Sequence, residues 1–300
     1  MSSATAFSSE PIRASKGFLA TLREWFDALI IAFMLAMFIR LFVAELFKIP
    51  SASMTPTLLG TQADQGVSFY DVNKDGVEDM LLWRQGNTGE WQLPDVYLRK
   101  GDHYEYAGIA DGTLPKIAAA DMEQRQDRIL VAKFFYWFAP PKRGDIVVFK
   151  VPETIFETNK PIYIKRAVGL PGETLTFEPT DGVRGHMNTM AHLVVDGKRA
   201  ETPDFFQRQR YEFCDPRGFE YRSVLRGYME PFQHPITATY KNWGASGAEI
   251  SKIKVPDDSI YVFGDNTVSS MDSRYWGAVE LARLRGKAIF RYYKNPSFLK

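Results

Sequence analysis

Cysteine is almost missing. Cys214 stands alone in 300 residues, which excludes an intrachain disulfide framework, and no other Cys or His lies at ligand spacing to build a thiolate metal site with it. A charge excess of either sign is also missing. Lys and Arg number 37 against 36 Asp and Glu, so no overall basic field recruits nucleic acid, and no local basic patch stands in for one. Beyond residue 50 there is no sustained helical period and no Gly-rich strand-to-helix turn, which disfavours an α/β nucleotide-binding fold. Histidine is scarce: the four are His103, His186, His192 and His234, all in turn-rich stretches and read as solvated surface residues. What is abundant is apolar. A 45% hydrophobic composition, rich in Phe and Tyr, suits a packed globular core.

Residues 1–24 are polar, with Arg13, Lys16 and Arg23 ahead of the run WFDALIIAFMLAMFIRLFVAELF. Its charge-free centre, Ala28 to Ile39, has only twelve residues. The whole stretch 25–47 can nevertheless cross roughly 30 Å of hydrocarbon if Asp27 and Arg40 lie near opposite interfaces and Arg40 snorkels. No A-x-A cleavage signal follows, and the basic residues cluster before the run. The positive-inside rule therefore predicts a cytoplasmic N-terminal tail (1–24), a transmembrane anchor (25–47) and an extracytoplasmic domain (48–300) at the cytoplasmic, or inner, membrane.

After the anchor come short β-branched and aromatic runs punctuated by Gly, Pro, Asp and Asn: RILVAKFFYWF, GDIVVFKV, IYIKRAVGL, HLVVDG, SIYVFGD and GKAIFRYY. They predict a mainly β fold, an antiparallel sheet carrying the chemistry behind a helical anchor. Residues 61–126 and 177–255 are richer in turn residues and read as insertions on that core.

Directly after the anchor, Phe47-Lys-Ile-Pro-Ser-Ala-Ser-Met-Thr-Pro-Thr-Leu58 fixes two serines between two prolines. A serine hydroxyl needs a positioned base to become a nucleophile. None of the histidines sits beside an orienting Asp in a strand-like run. A lysine can serve if burial brings its pKa towards neutrality, and Lys165, in Tyr-Ile-Lys-Arg-Ala-Val-Gly-Leu-Pro-Gly, lies in a run that would bury alternate residues.

Four blocks in order resemble type I signal peptidases of the bacterial Ser/Lys class. They are Ile39 to Leu58, Pro141-Lys-Arg-Gly-Asp-Ile-Val-Val-Phe149, Tyr163-Ile-Lys-Arg-Ala-Val-Gly-Leu-Pro-Gly172, and Gly264-Asp-Asn266 with Ser270-Met-Asp-Ser-Arg-Tyr-Trp-Gly277. The resemblance implies that Ser53 is the nucleophile and Lys165 its base. It also implies an oxyanion hole of the Ser51 hydroxyl and the Ser53 N–H, Ser270 orienting the amine, and Asp272 with Arg274 as a supporting ion pair. Ile49, Met54, Leu58, Tyr163 and Ile164 would line shallow pockets for secretory pre-proteins, bound as an added strand and cut after an Ala-x-Ala-like motif beside the bilayer. Catalysis would need no cofactor. Where the family has Arg-Asp-Asn, this chain has Thr267-Val268-Ser269, a departure that affects the packing of the loop. A maturation peptidase of a conjugative transfer system would use the same dyad on one dedicated substrate.

The insertion at 61–126 carries Asp71-Val-Asn-Lys-Asp-Gly-Val-Glu-Asp79 and then a short aromatic hairpin. Side-chain oxygens at loop positions 1, 3, 5 and 9, a glycine at 6 and a carbonyl at 7 reproduce much of a calcium loop, but Leu82 at position 12 excludes an EF-hand. The stretch resembles a single FG-GAP-type repeat, which implies a structural calcium held by Asp71, Asn73, Asp75, Asp79 and the Val77 carbonyl. The alternative is an Asx-rich turn without an ion. A membrane-tethered, calcium-dependent binding module is the corresponding non-enzymatic reading. The run Phe134 to Phe138 alternates poorly for a half-exposed strand and fits either core or a contact with lipid headgroups.

Overall fold

The computed structural model describes residues 18–86, 88–110, 122–151, 161–184, 188–214, 253–267, 270–293 and 296–299. His186, His234, Val268 and Ser269 lie outside them. The chain divides into two compact units between Val43 and Ala44.

In the first unit, α1 (Phe18–Phe38) runs on into a π-helical turn, Ile39–Val43. Its Leu, Ile, Phe and Met side chains are exposed on every side, Leu29, Ile30, Phe33 and Met34 among them, so no stripe is reserved for a protein core. The stretch Thr21–Val43, 23 residues, is long and apolar enough to cross a membrane. The range 25–47 needs correcting at its C-terminal end. Ala44–Lys48 forms strand β1, because its backbone finds antiparallel partners in Arg128–Ala132, and alternate residues then face opposite ways as no helix allows.

Among the described residues, every strand pairing of the second unit is antiparallel. Its largest sheet has eight strands: β1, β6 (Arg128–Ala132), β7 (Ile146–Lys150), β8 (Ile162–Gly169), β14 (Ser259–Phe263), β15 (Val279–Glu280), β16 (Leu284–Arg291) and β17 (Ser297–Phe298). The order is β1-β6-β16-β7-β8-β14-β15, with β17 beside β16. A second sheet, of five strands, comprises β9 (Thr174–Arg184), β10 (Asn188–Val195), β11 (Lys198–Arg199), β12 (Tyr211–Cys214) and β13 (Ile253–Lys254). A third, of four, is β2 (Gln65–Tyr70), β3 (Asp79–Arg84), β4 (Asp95–Lys100) and β5 (His103–Ile109), in sequential order. Valine, isoleucine and aromatic residues dominate the inner strands, as suits a pleated surface covered by packing. One core cluster joins Val147, Phe149, Ala167, Ile260 and Val262 across β7, β8 and β14.

Two sequence expectations change on contact with the structure. The run Arg128 to Phe138 is not one strand. β6 stops at Ala132, where its pairing with β16 runs out, and Phe135–Phe138 closes a single helical turn. The Tyr136 hydroxyl donates to Asp145 (3.3 Å), which fixes one ring and leaves Trp137 and Phe138 exposed. His192 is not a surface residue either: it lies on β10, 5% exposed, with Arg199 against its ring.

The third sheet is rooted beside the serine loop by two short antiparallel segments. Thr61 N–H donates to the Arg125 carbonyl and Asp127 N–H to the Leu59 carbonyl (2.8 Å each), while Ile49 N–H donates to the Asp127 carbonyl. The fully buried Asp127 carboxylate also accepts from Leu59 N–H (2.8 Å) and from Arg291 (3.3 Å). Replacing Asp127 by Ala should cost about 2 kcal/mol, because it leaves the buried Leu59 N–H without its acceptor and removes one of the partners of the half-buried Arg291. Asp127→Asn, which keeps an acceptor, should cost less. Denaturant unfolding of the detergent-solubilised protein checks both, and equal losses would show that the Leu59 bond contributes nothing.

Candidate active site

Ser53 lies on a single 3₁₀ turn, Ala52–Met54, entered from extended backbone at Ser51. Pro50 and Pro56 bracket it and restrict the chain on both sides. The leading N–H groups of such a turn lack intrahelical partners, so the Ser53 N–H belongs to the set available to an incoming oxygen. The Ser51 hydroxyl stands 3.4 Å from Ser53 Oγ.

Lys165 reaches the serine from the middle of β8. Its Nζ lies 2.7 Å from Ser53 Oγ, across 112 residues of sequence. Strands β7 and β14 flank β8, and the lysine is only 3% exposed. Burial lowers its pKa from 10.5 to about 8, against the opposing pull of Asp272 and Asp265 and with some help from Arg274. The Tyr163 ring lies 5.3 Å from the amine.

The turn is clamped from the segment after β14. Asn266 donates its side-chain N–H to the Ala52 carbonyl (3.0 Å) and its backbone N–H to the Ser53 carbonyl (3.1 Å). A side chain at Gly264 would collide with both the Ser53 carbonyl and the Ser270 hydroxyl, so only glycine lets these two serines approach. Ser270 is buried, yet among the described residues its hydroxyl has no hydrogen-bond partner and makes no bond to Lys165. Asp272 is fully buried and holds Arg274 through both oxygens (2.9 and 2.8 Å) while accepting from Gly264 N–H (2.9 Å). Arg274 in turn donates to the Thr267 carbonyl (2.9 Å).

Next to the lysine, Arg166 forms a buried two-pronged pair with Asp265 (2.9 and 2.7 Å) and donates to the Gly144 carbonyl (2.7 Å). Arg166, Asp265 and Asn266 had no role in the sequence reading, although all three lie inside the quoted blocks. Their adjacency to Lys165 and Gly264 was the available signal.

The five residues expected to line substrate pockets divide. Ile49, Met54 and Leu58 are fully buried in one cluster with Ile129, Val131, Ile146 and Val148; Ile164 is half-buried at its margin, and Tyr163 is half-buried against the separate cluster of Val147 and Phe149. The Asp71–Asp79 loop is closed by its own backbone. Asp71 accepts from Asp75 N–H (3.1 Å) and Gly76 N–H (2.8 Å), Asp75 from Val77 N–H (2.9 Å), and Asp79 from Val72 N–H (3.1 Å) and Arg99 N–H (2.8 Å). Among the described residues no group of three or more His, Cys, Asp or Glu is placed to hold a metal ion, so a cation here would also draw on Asn73 and the Val77 carbonyl.

A family model described as signal peptidase, peptidase S26, matches residues 22–65 and 113–293. Signal peptidase I of Leptolyngbya laminosa is 30% identical over 170 residues, covering 56% of this chain and 60% of that protein. A probable signal peptidase I-2 of Synechocystis is 28% identical over 184 residues, covering 60% and 62%. Signal peptidase I of Aquifex aeolicus is 30% identical over 194 residues, covering 57% and 71%. The chain thus spans about three fifths of the length of the first two relatives.

Because the acids around Lys165 raise its pKa while burial lowers it, Asp272→Asn should move the lysine below about 8. Lysine-selective NMR titration of the solubilised protein reads this directly. An upward movement would mean that the amine is governed by something other than these charges.

Proposed function

The chain belongs to the signal peptidase, peptidase S26, family, and from that premise we propose that it is a signal peptidase I, a serine endopeptidase working through a Ser53–Lys165 dyad. The 2.7 Å contact between Lys165 Nζ and Ser53 Oγ, made by an amine brought to about 8 by burial, carries the proposal. The neutral amine takes the serine proton as Oγ bonds to the scissile carbonyl carbon. The Ser51 hydroxyl and the Ser53 N–H receive the developing oxyanion. Collapse breaks the C–N bond and the lysine ammonium protonates the leaving amine. Water, deprotonated by the same lysine, then releases the acyl group. Asp272, Arg274 and Asn266 hold the frame, and Ser270 supplies a buried hydroxyl beside the Ser53 carbonyl. No step requires a cofactor.

The substrates proposed are secretory pre-proteins, added as a strand with small side chains at the cleavage motif. The helix 18–38 and its continuation would anchor the enzyme in the cytoplasmic membrane, N-terminus inside and catalytic unit outside, as the basic residues before it favour. Ser53→Ala and Lys165→Ala should each reduce pre-protein cleavage in detergent by at least about a thousandfold, the scale on which members of a catalytic unit fail. Wild-type activity should rise with pH through about 8, since only the neutral amine accepts a proton. Phe in place of Ala before the scissile bond should nearly abolish turnover. Substantial cleavage by either variant removes the dyad, and equal cleavage of Ala and Phe substrates removes the small pocket.

Calcium binding by the Asp71–Asp79 loop is a separate proposal with no part in the chemistry. Its support is the donor spacing, with Gly76 in the left-handed region at φ 85°. If it is right, titration calorimetry gives a saturable heat with calcium that Asp75→Ala abolishes, and a chelator lowers Tm without stopping cleavage. No heat at millimolar calcium leaves an Asx turn closed by its own N–H groups.

A further inference from the structure

The family match omits residues 66–112, and the β2–β5 sheet fills that gap. It does not hang free. The segment leading into it passes so close to the serine loop that a Cβ at Gly60 would stand 2.5 Å from the Ser51 carbonyl oxygen and 2.7 Å from that of Ile49. One face of the sheet then closes over the turn itself: Ala52, 3% exposed, is buried in a cluster with Leu59, Val67, Met80, Leu82 and Tyr97. The opposite face packs separately, with Leu81, Trp83, Val96 and Ala110 in a second cluster.

We propose that this inserted sheet is a positioning element for the nucleophile: through Gly60 and the Ala52 cluster it sets where Ser51 and Ser53 stand relative to Lys165. The inference rests on the peptidase reading for its kinetic consequence, though not for its geometry. A lone 3₁₀ turn has little stability of its own, so its place is set by what holds it. Asn266 grips its carbonyls. The only side chain on the turn between the two working serines is Ala52, and it is buried in one cluster with Leu59 and with Val67, Met80, Leu82 and Tyr97 of the insertion. A shift of the turn changes both the Lys165–Ser53 contact and the Ser51 hydroxyl, whereas Tyr163 and Ile164 on β8 stay where they are, and of the five expected pocket residues only these two are not fully buried. The effect therefore belongs to kcat rather than KM.

Strand alternation supplies a matched pair of variants. Leu82 (1% exposed) faces the Ala52 cluster and Leu81 (0%) the other, so Leu82→Ala and Leu81→Ala remove the same atoms from equally buried sites one residue apart. Leu82→Ala should lower kcat about tenfold or more, on the scale expected for a sub-ångström to 1 Å misplacement, with KM within about twofold. Leu81→Ala should leave both constants unchanged at a comparable fall in Tm. Gly60→Ala should reproduce the kcat loss without a core cavity and keeps the test open if Leu82→Ala folds poorly. Amide exchange gives a readout independent of activity: the N–H groups of Thr55, Leu58 and Asn266, bonded to the turn's carbonyls, should exchange faster in Leu82→Ala and not in Leu81→Ala. Losses of kcat that track Tm equally in both leucine variants, or an unchanged kcat in both Leu82→Ala and Gly60→Ala, would overturn the proposal. If the wild-type chain cleaves no pre-protein, the peptidase reading fails, and the exchange comparison alone then decides the positioning role.

Discussion

A lysine amine held out of water, 2.7 Å from a serine hydroxyl, is the constraint around which the rest of the second unit is organised. An exposed lysine is protonated at neutral pH and cannot act as a base. Burial is the largest influence on Lys165 and takes it to about 8. That burial needs a strand with neighbours on both edges and a covered face, which β8 obtains from β7, β14 and the core cluster around Val147, Ala167 and Val262. An edge strand would have left the amine wet and charged.

The serine must then come to the lysine, because a buried amine in the middle of a sheet cannot move to it. Its turn leaves β1 and is caught on two sides. Asn266 holds the carbonyls of Ala52 and Ser53, and the missing side chain at Gly264 admits the Ser53 carbonyl beside Ser270. On the other side stand Gly60 and the sheet it leads into. The same device recurs at both clamps: a glycine where backbones meet too closely for a Cβ, next to an apolar or amide contact that fixes the approach.

Much of this was legible in the sequence because short-range chemistry writes itself into short motifs. Pro50 and Pro56 around two serines, a lysine in a β-branched run, and alternating apolar stretches bounded by Gly and Asp foretold the antiparallel sheet and the residues that meet at its centre. The failures were of another kind. Residues 44–47 read as membrane helix because hydropathy counts apolar side chains, whereas their strand conformation comes from β6, more than 80 residues away. The run from Arg128 to Phe138 read as one strand-like stretch, though its aromatic end alternated poorly, and the pairing with β16 ends at Ala132. His192 looked solvent-bound until β10 packed it. The burial of Ala52 in one cluster with Met80, Leu82 and Tyr97 leaves no local trace, since an alanine between two serines looks the same with or without a sheet behind it.

The charges near Lys165 show why a buried base can coexist with two buried acids. A bare carboxylate beside the amine would favour the ammonium, and both Asp272 and Asp265 do pull that way. Each is already held by an arginine through two oxygens, Asp272 by Arg274 and Asp265 by Arg166. Coulomb attraction falls with distance, so a carboxylate compensated at under 3 Å leaves the amine only the residual field of a pair, and desolvation prevails. The fall from 10.5 to about 8 corresponds to about 3 kcal/mol against the charged form. Between those values the unfolded chain holds a proton that the folded chain has released, so this lysine makes stability rise with pH over the same interval in which it becomes a base. Buried tyrosines act in the opposite direction at the upper end. Burial raises Tyr261 to about 12 and raises Tyr136 and Tyr211 as well, so above about 10 the unfolded chain ionises first and stability falls. Fold and base are thus both favoured in one window, from about 8 to about 10, set by burial acting with opposite sign on an amine and on phenols.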